Sequence, residues 1–194
     1  MISDNGDSRL REACAAWQDG RDGGSSPLRA AARVLTETPH YFDADFITDY
    51  ERTAAADRRT MSRARTLLDT LSDSPVMDAG AWGERTNFAS GWAGRGVKSG
   101  DQDAQISAKL ASGSLLMPLW GLSLDRGVAL SFGTAFLFEV VGPFPAIPAW
   151  VATGIKSDER ELITGGRYSV ETTREDSSGT TVVTLQFIET VKFA

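Results

Sequence analysis

The chain changes character near residue 80, and that change limits the folds open to it. Up to that point Ala, Arg and Glu/Asp recur at helical spacing; beyond it glycines, aromatics and β-branched residues take over. "SRLREACAAWQ" predicts a short helix capped by Ser8. "SPLRAAARVLTET" predicts a second, with Ser26 as N-cap and Pro27 at the first helical position. In "ERTAAADRRTMSRARTLLDTLSD" Met61, Ala64, Leu67, Leu68 and Leu71 fall three or four apart, which makes one apolar face and leaves the arginines on the solvated side. In the second half "NFASGWAGRGV", "TAFLFEVVG" and "TTVVTLQFIETV" predict strands, and "DQDAQISAKLAS" and "LDRGVALSF" predict short helices. "REDSSGTT", between 168–173 and 182–188, has the Asp, Ser and Gly content of a hairpin turn. The order predicts an α+β fold, with a helical N-terminal lobe over residues 1–80 packed on a strand-rich core over 81–194.

A length of 194 residues fits one domain, or two small subdomains, with a real core. The net charge of −6 argues against non-specific binding to nucleic acid or to an anionic membrane. Cys14 is the one cysteine and His40 the one histidine, which excludes a disulfide framework and argues against a zinc site. Cys14 reads as packing on the apolar side of its helix, and His40, in "TPHYFDADF", as a turn or surface residue. No apolar run approaches the roughly 20 residues that cross a bilayer. "MISDNGDSRLREACAAW" carries no apolar segment of the secretory type, so a soluble chain is expected, its compartment left open.

"SDERELITGGRYSV" places two glutamates, Glu159 and Glu161, one residue apart where a strand is expected to open. On a strand they emerge on one face, and like charges that close raise one pKa. A solvated edge tolerates this; a site that handles a cation exploits it. Upstream, "WAGRGV" puts Arg95 in a half-buried strand, where a guanidinium requires an anion or acceptor. "LWGLSLDRGVALSF" sets Ser123 ahead of a short helix with Ala129 and Phe132, a place where serine is ordinarily an N-cap.

Taken in order, these features over Gly91 to Glu189 resemble the mono-ADP-ribosyltransferases of the arginine–serine–glutamate class. Their pattern is an arginine strand, a Ser-Thr-Ser segment before a helix with Ala and Phe, then Glu-x-Glu opening a strand. The resemblance implies a split β-sandwich core that uses NAD as substrate and needs no metal. It implies that Glu161 stabilises the oxocarbenium-like cation formed as nicotinamide leaves, and that Glu159 orients and deprotonates an arginine acceptor. By the same resemblance Arg95 binds an NAD phosphate, Gly96 offers its backbone to the carboxamide, and Phe132 lies against the nicotinamide. Trp150 falls in the segment that recognises the target in relatives, where it either contacts a partner or packs the loop.

The layout looks most like the small transferases carried by T-even-type bacteriophages, and bacterial toxins and injected effectors of the class share the motifs. A target protein with an exposed arginine is therefore the expected partner, reached in a host or target-cell cytoplasm, with neither membrane nor nucleic acid. In one departure, Gly121 stands where the family has its first motif serine, whose hydroxyl bonds the catalytic glutamate. Either Ser123 compensates, or the enzyme is slow, or the fold binds a partner without turnover. Transfer of ADP-ribose to water or RNA is a further alternative.

Overall fold

The computed structural model describes residues 4–19, 25–38, 53, 56–78, 93–100, 103–156 and 158–193. The expected boundary near residue 80, His40 and the start of "NFASGWAGRGV" lie outside these residues. Among the described residues three long helices come first: α1 (Asp4–Gln18), α2 (Ser26–Leu35) and α3 (Arg58–Asp73). Ser8 lies inside α1 rather than at its cap, and the cap of α2 is Ser25 rather than Ser26, with Pro27 in the first turn. Asp57 caps α3, its carboxylate accepting from Arg59 N at 3.0 Å and Thr60 N at 3.3 Å. The apolar face read from α3 is buried at Ala64, Leu67, Leu68 and Leu71, and Arg59 and Arg63 reach back to Glu12 on α1.

The second half contains β1 (Met77–Asp78), β2 (Ala93–Val97), α4 (Asp103–Ala111), β3 (Ser114–Ser123), α5 (Arg126–Ser131) and β4 (Phe136–Val141). After these come β5 (Pro143–Phe144), β6 (Ala146–Pro148), α6 (Ala149–Thr153), β7 (Glu161–Glu175) and β8 (Thr181–Glu189). β1 pairs with β5, and the other strands form a six-stranded sheet in the order β3-β2-β4-β8-β7-β6, with β3 also pairing with β7. The first part of β7 lies between β3 and β6, and its second part pairs with β8 through the hairpin read from "REDSSGTT". β7 thus belongs to two layers, which meet again where Gly94 of β2 faces Ser123 of β3. This is the α+β architecture expected, with a sandwich split around one shared strand.

β3 is a strand that the sequence did not announce. "SLLMPLWGLS" is a continuous apolar run poor in β-branched residues, a pattern that does not separate strand from buried helix. Pro118 has no N–H for the ladder, and the register shifts between Met117 and Trp120. The bulge brings the Pro118 carbonyl onto Gly165 of β7, where a Cβ has no room. Gly166 follows at φ 154°, just before β8 joins β7 at Arg167 while the pairing with β3 runs on to Ser169.

Trp120 and Tyr168 are buried between the layers, their rings edge-to-face at 5.4 Å. The Trp120 indole N–H donates to the Tyr168 hydroxyl at 3.1 Å, which also lies 3.3 Å from Thr164 Oγ1. The other face of the first layer meets the helices: Ile163, Leu119, Ile147 and Ala149 share one core with Ala13, Cys14, Trp17, Leu28 and Leu67. Tyr168→Phe keeps the ring but leaves the Trp120 N–H without an acceptor. It should lower unfolding free energy by about 1–3 kcal/mol in urea titrations, with an unchanged m-value.

Candidate active site

Strand register builds the site. Glu161 opens β7 opposite Ser123, and Gly121, two residues earlier on β3, pairs with Ile163 on the same face. The Glu161 carboxylate folds over Gly121, so that a Cβ there would run into Oε1 and stand 3.4 Å from Arg95 Nη1. Arg95 enters from β2; its Nη1 donates to Gly121 O at 3.3 Å, and its guanidinium lies 4.8 Å from the centre of the Phe132 ring. Phe132 ends α5 and is 43% exposed, which leaves ring surface open toward the cleft. Arg126 on α5 donates to buried Glu139 of β4 at 3.0 Å and ties this helix to the sheet.

Glu159 is not on the strand. It sits in the turn before β7, and Arg160, between the two glutamates, has φ 44°; Lys156 has φ 51°. Left-handed conformations at non-glycine residues cost about 1–3 kcal/mol each and persist only where the surroundings hold them. Part of that hold is Ser123, whose hydroxyl donates to the Glu159 carbonyl at 2.8 Å and accepts from Asp125 N at 3.0 Å. The N-cap of α5 is Asp125, not Ser123, its Oδ1 accepting from Gly127 N and Val128 N. The side-by-side pair expected on a strand is thus replaced by two carboxylates presented by different backbone.

Arg95, Ser123, Phe132, Glu159 and Glu161 line one cleft, together with Gly121. Gly96 and Trp150 lie outside that lining. Gly96 is pressed against the carbonyls of Ala129 and Gly133, which leaves no space for a side chain. Trp150, on α6, is partly buried against the core between the layers. Among the described residues no group of His, Cys, Asp and Glu is arranged to hold a metal.

The two carboxylates differ electrostatically. Burial pushes the Glu161 carboxyl above its ordinary value, the indole N–H of Trp17 and the charge of Arg95 pull it back, and the charge of Glu159 raises it again. Glu159 is 36% exposed and pairs with Lys156 at 3.5 Å. Trp17 is the residue that sequence reasoning missed. Cys14, Trp17 and Gln18 fall on one face of α1, so burial was legible, but nothing along the chain places that face near Glu161. On the same face, burial, and then the Glu161 charge, push the Cys14 thiol up to about 12. Its packing role is as expected.

Comparison with solved structures finds this fold among ADP-ribosyltransferases. ADP-ribosyltransferase Vis of Vibrio splendidus, solved with agmatine, aligns at a TM-score of 0.55 and 17% identity, over 99% of this chain and 79% of that one. Exoenzyme S from Pseudomonas aeruginosa, solved with human 14-3-3 protein beta and carba-NAD, gives 0.50 and 14%, over 93% and 88%. ADP-ribosyltransferase HopU1 of Pseudomonas syringae gives 0.45 and 14% over 73% of this chain, which spans just over half of that one, 56%. No family model matches the chain, and no curated protein does. At these identities the likeness is one of fold: the chain has the architecture of the mono-ADP-ribosyltransferase toxins.

A carboxyl whose folded pKa is raised binds its proton more tightly in the native state. Stability therefore falls as pH rises from the unfolded value near 4.5 through the folded one. Glu161→Gln should raise Tm at pH 7 and lose that advantage below pH 4.5, as thermal scans across this range will show.

Proposed function

We propose that this protein is a mono-ADP-ribosyltransferase that cleaves NAD at the nicotinamide–ribose bond and transfers ADP-ribose to an arginine of a target protein. The observation that carries the reading is the convergence of Arg95 and the Glu161 carboxylate over Gly121, in a cleft that Phe132 and Glu159 also line. Arg95 suits a phosphate of NAD, and the half-exposed Phe132 ring suits the nicotinamide. The bond to nicotinamide breaks with its electron pair leaving on the base. Glu161 faces the positive charge left on the ribose, and its low-dielectric setting strengthens that attraction.

Glu159 serves the second half of the reaction. Exposed at the cleft and already paired with the ammonium of Lys156, it suits a cationic acceptor. It aligns the incoming guanidinium and takes its proton as nitrogen bonds to the anomeric carbon. An arginine acceptor gains support from Vis, whose bound agmatine ends in the same guanidine group, and NAD from the carba-NAD held by exoenzyme S. The neighbours are bacterial enzymes, which favours a toxin or effector over a phage enzyme. Ser123 acts by fixing the turn that carries Glu159, Gly96 by close backbone packing beside the nicotinamide end, and Trp150 by bracing the segment that meets the target.

Incubation with labelled NAD and a host lysate should label a protein band; free ADP-ribose alone would assign the acceptor to water, and label in RNA would assign it there. Glu161→Gln should abolish labelling while the fold, read by circular dichroism, is unchanged. Undiminished transfer would refute the assignment. Glu159→Gln should suppress transfer at least tenfold more than NAD hydrolysis, on the order of the loss of a general base; equal loss of both counts against its acceptor role.

A further inference from the structure

A desolvated carboxylate needs donors, and burial makes Glu161 such a group. Position 121 is glycine, so no hydroxyl comes from the strand that the carboxylate leans on, and the Ser123 hydroxyl is committed to the Glu159 carbonyl. The helical lobe brings a further donor. Trp17 is 2% exposed, shares a core with Ile163 on the same face of β7 as Glu161, and directs its indole N–H at the Glu161 carboxylate. That N–H is buried and has no partner within ordinary hydrogen-bond geometry. The torsions of a glutamate side chain close such a gap readily.

We propose that Trp17 is a positioning residue, whose indole N–H seats the Glu161 carboxylate over Gly121 and against Arg95. The inference rests on the reading of Glu161 as the reacting carboxylate. It gives the N-terminal lobe a part in the chemistry beyond that of a platform. α1 is placed for it. Its Gln18, one residue on, accepts from Thr153 Oγ1 at 2.7 Å and donates to the Ile155 carbonyl at 3.3 Å, and Glu12 is clasped by Arg59 and Arg63 of α3. The helix is thereby fixed to the segment that leads into Glu159 and Glu161. A displaced N–H would release the carboxylate from the geometry that the developing cation requires. Glycine at 121 is then a condition of the arrangement, because the carboxylate occupies the space of a side chain there.

Trp17→Phe keeps a ring of similar shape and removes the donor. It should lower kcat about ten- to a hundredfold, the loss expected for a hydrogen bond to a charged group, with KM for NAD within about twofold. The acidic limb of the kcat profile should move to higher pH, since Glu161 loses an influence that holds its pKa down. Arg95, Glu159, Lys156 and Cys14, the other groups facing it, are unchanged in this variant. A measurement on the unaltered protein guards against a variant that fails to fold. The Trp17 indole signal in 15N NMR should shift with pH as Glu161 titrates, and lose that dependence in Glu161→Gln. A pH-independent Trp17 signal, or Trp17→Phe with full kcat and an unmoved limb, overturns the proposal. If Glu161→Gln is inactive while Trp17→Phe is fully active, only the role of Trp17 falls. If Glu161→Gln retains transfer, the reading of that carboxylate falls and takes the proposal with it.

Discussion

β7 must pair with β3 along its first part and with β8 along its second, and the remainder of the architecture follows from that double duty. The two pairings overlap at residues 167–169, so one unbroken strand joins the layers. Gly165 and Gly166 precede that overlap: the first leaves room for the Pro118 carbonyl, and the second takes a backbone angle that side-chain-bearing residues rarely adopt. The aromatic pair Trp120 and Tyr168 then fills the wedge between the layers, with its polar atoms satisfied internally. With both partners of β7 fixed, its first residue, Glu161, has a fixed neighbour in Ser123 and a fixed surface in Gly121.

That placement sets a stability cost against a chemical use. A carboxylate at the end of a strand is ordinarily solvated, but here α1 and the Arg95 strand remove much of its water. Ionised, it opposes folding at neutral pH; in a closed site the same loss of water strengthens its pull on a developing cation. Arg95 offsets part of the penalty, and so does the N–H of Trp17. The helices therefore act in two ways, as the cover of an apolar sheet face and as part of the surroundings of one charged group.

The two glutamates, close in sequence, are separated in environment by a single left-handed residue. Arg160 turns the chain so that Glu159 stays at the exposed mouth beside Lys156 while Glu161 points under α1. Two carboxylates with different solvation can carry different roles in one reaction, one facing a cation and the other handling a proton. Ser123, anchored to the Glu159 carbonyl, keeps the two at a fixed offset.

The sequence by itself determined the helices of the first half and most strands of the second, because the amphipathic face of α3, the apolar run of β4 and the turn chemistry of 176–180 are local properties. It also marked Arg95, Ser123, Phe132, Glu159 and Glu161, which line one cleft, by their residue types and order. β3 escaped, since leucine, methionine and proline carry no strand preference and only pairing with β7 makes them one. The offset of the glutamates escaped as well, because a left-handed residue is imposed by its surroundings. Tertiary structure alone decided that Trp17, more than a hundred residues away along the chain, meets Glu161. Burial of an indole is written in helical spacing, but what its N–H faces depends on how two layers and three helices close around one strand.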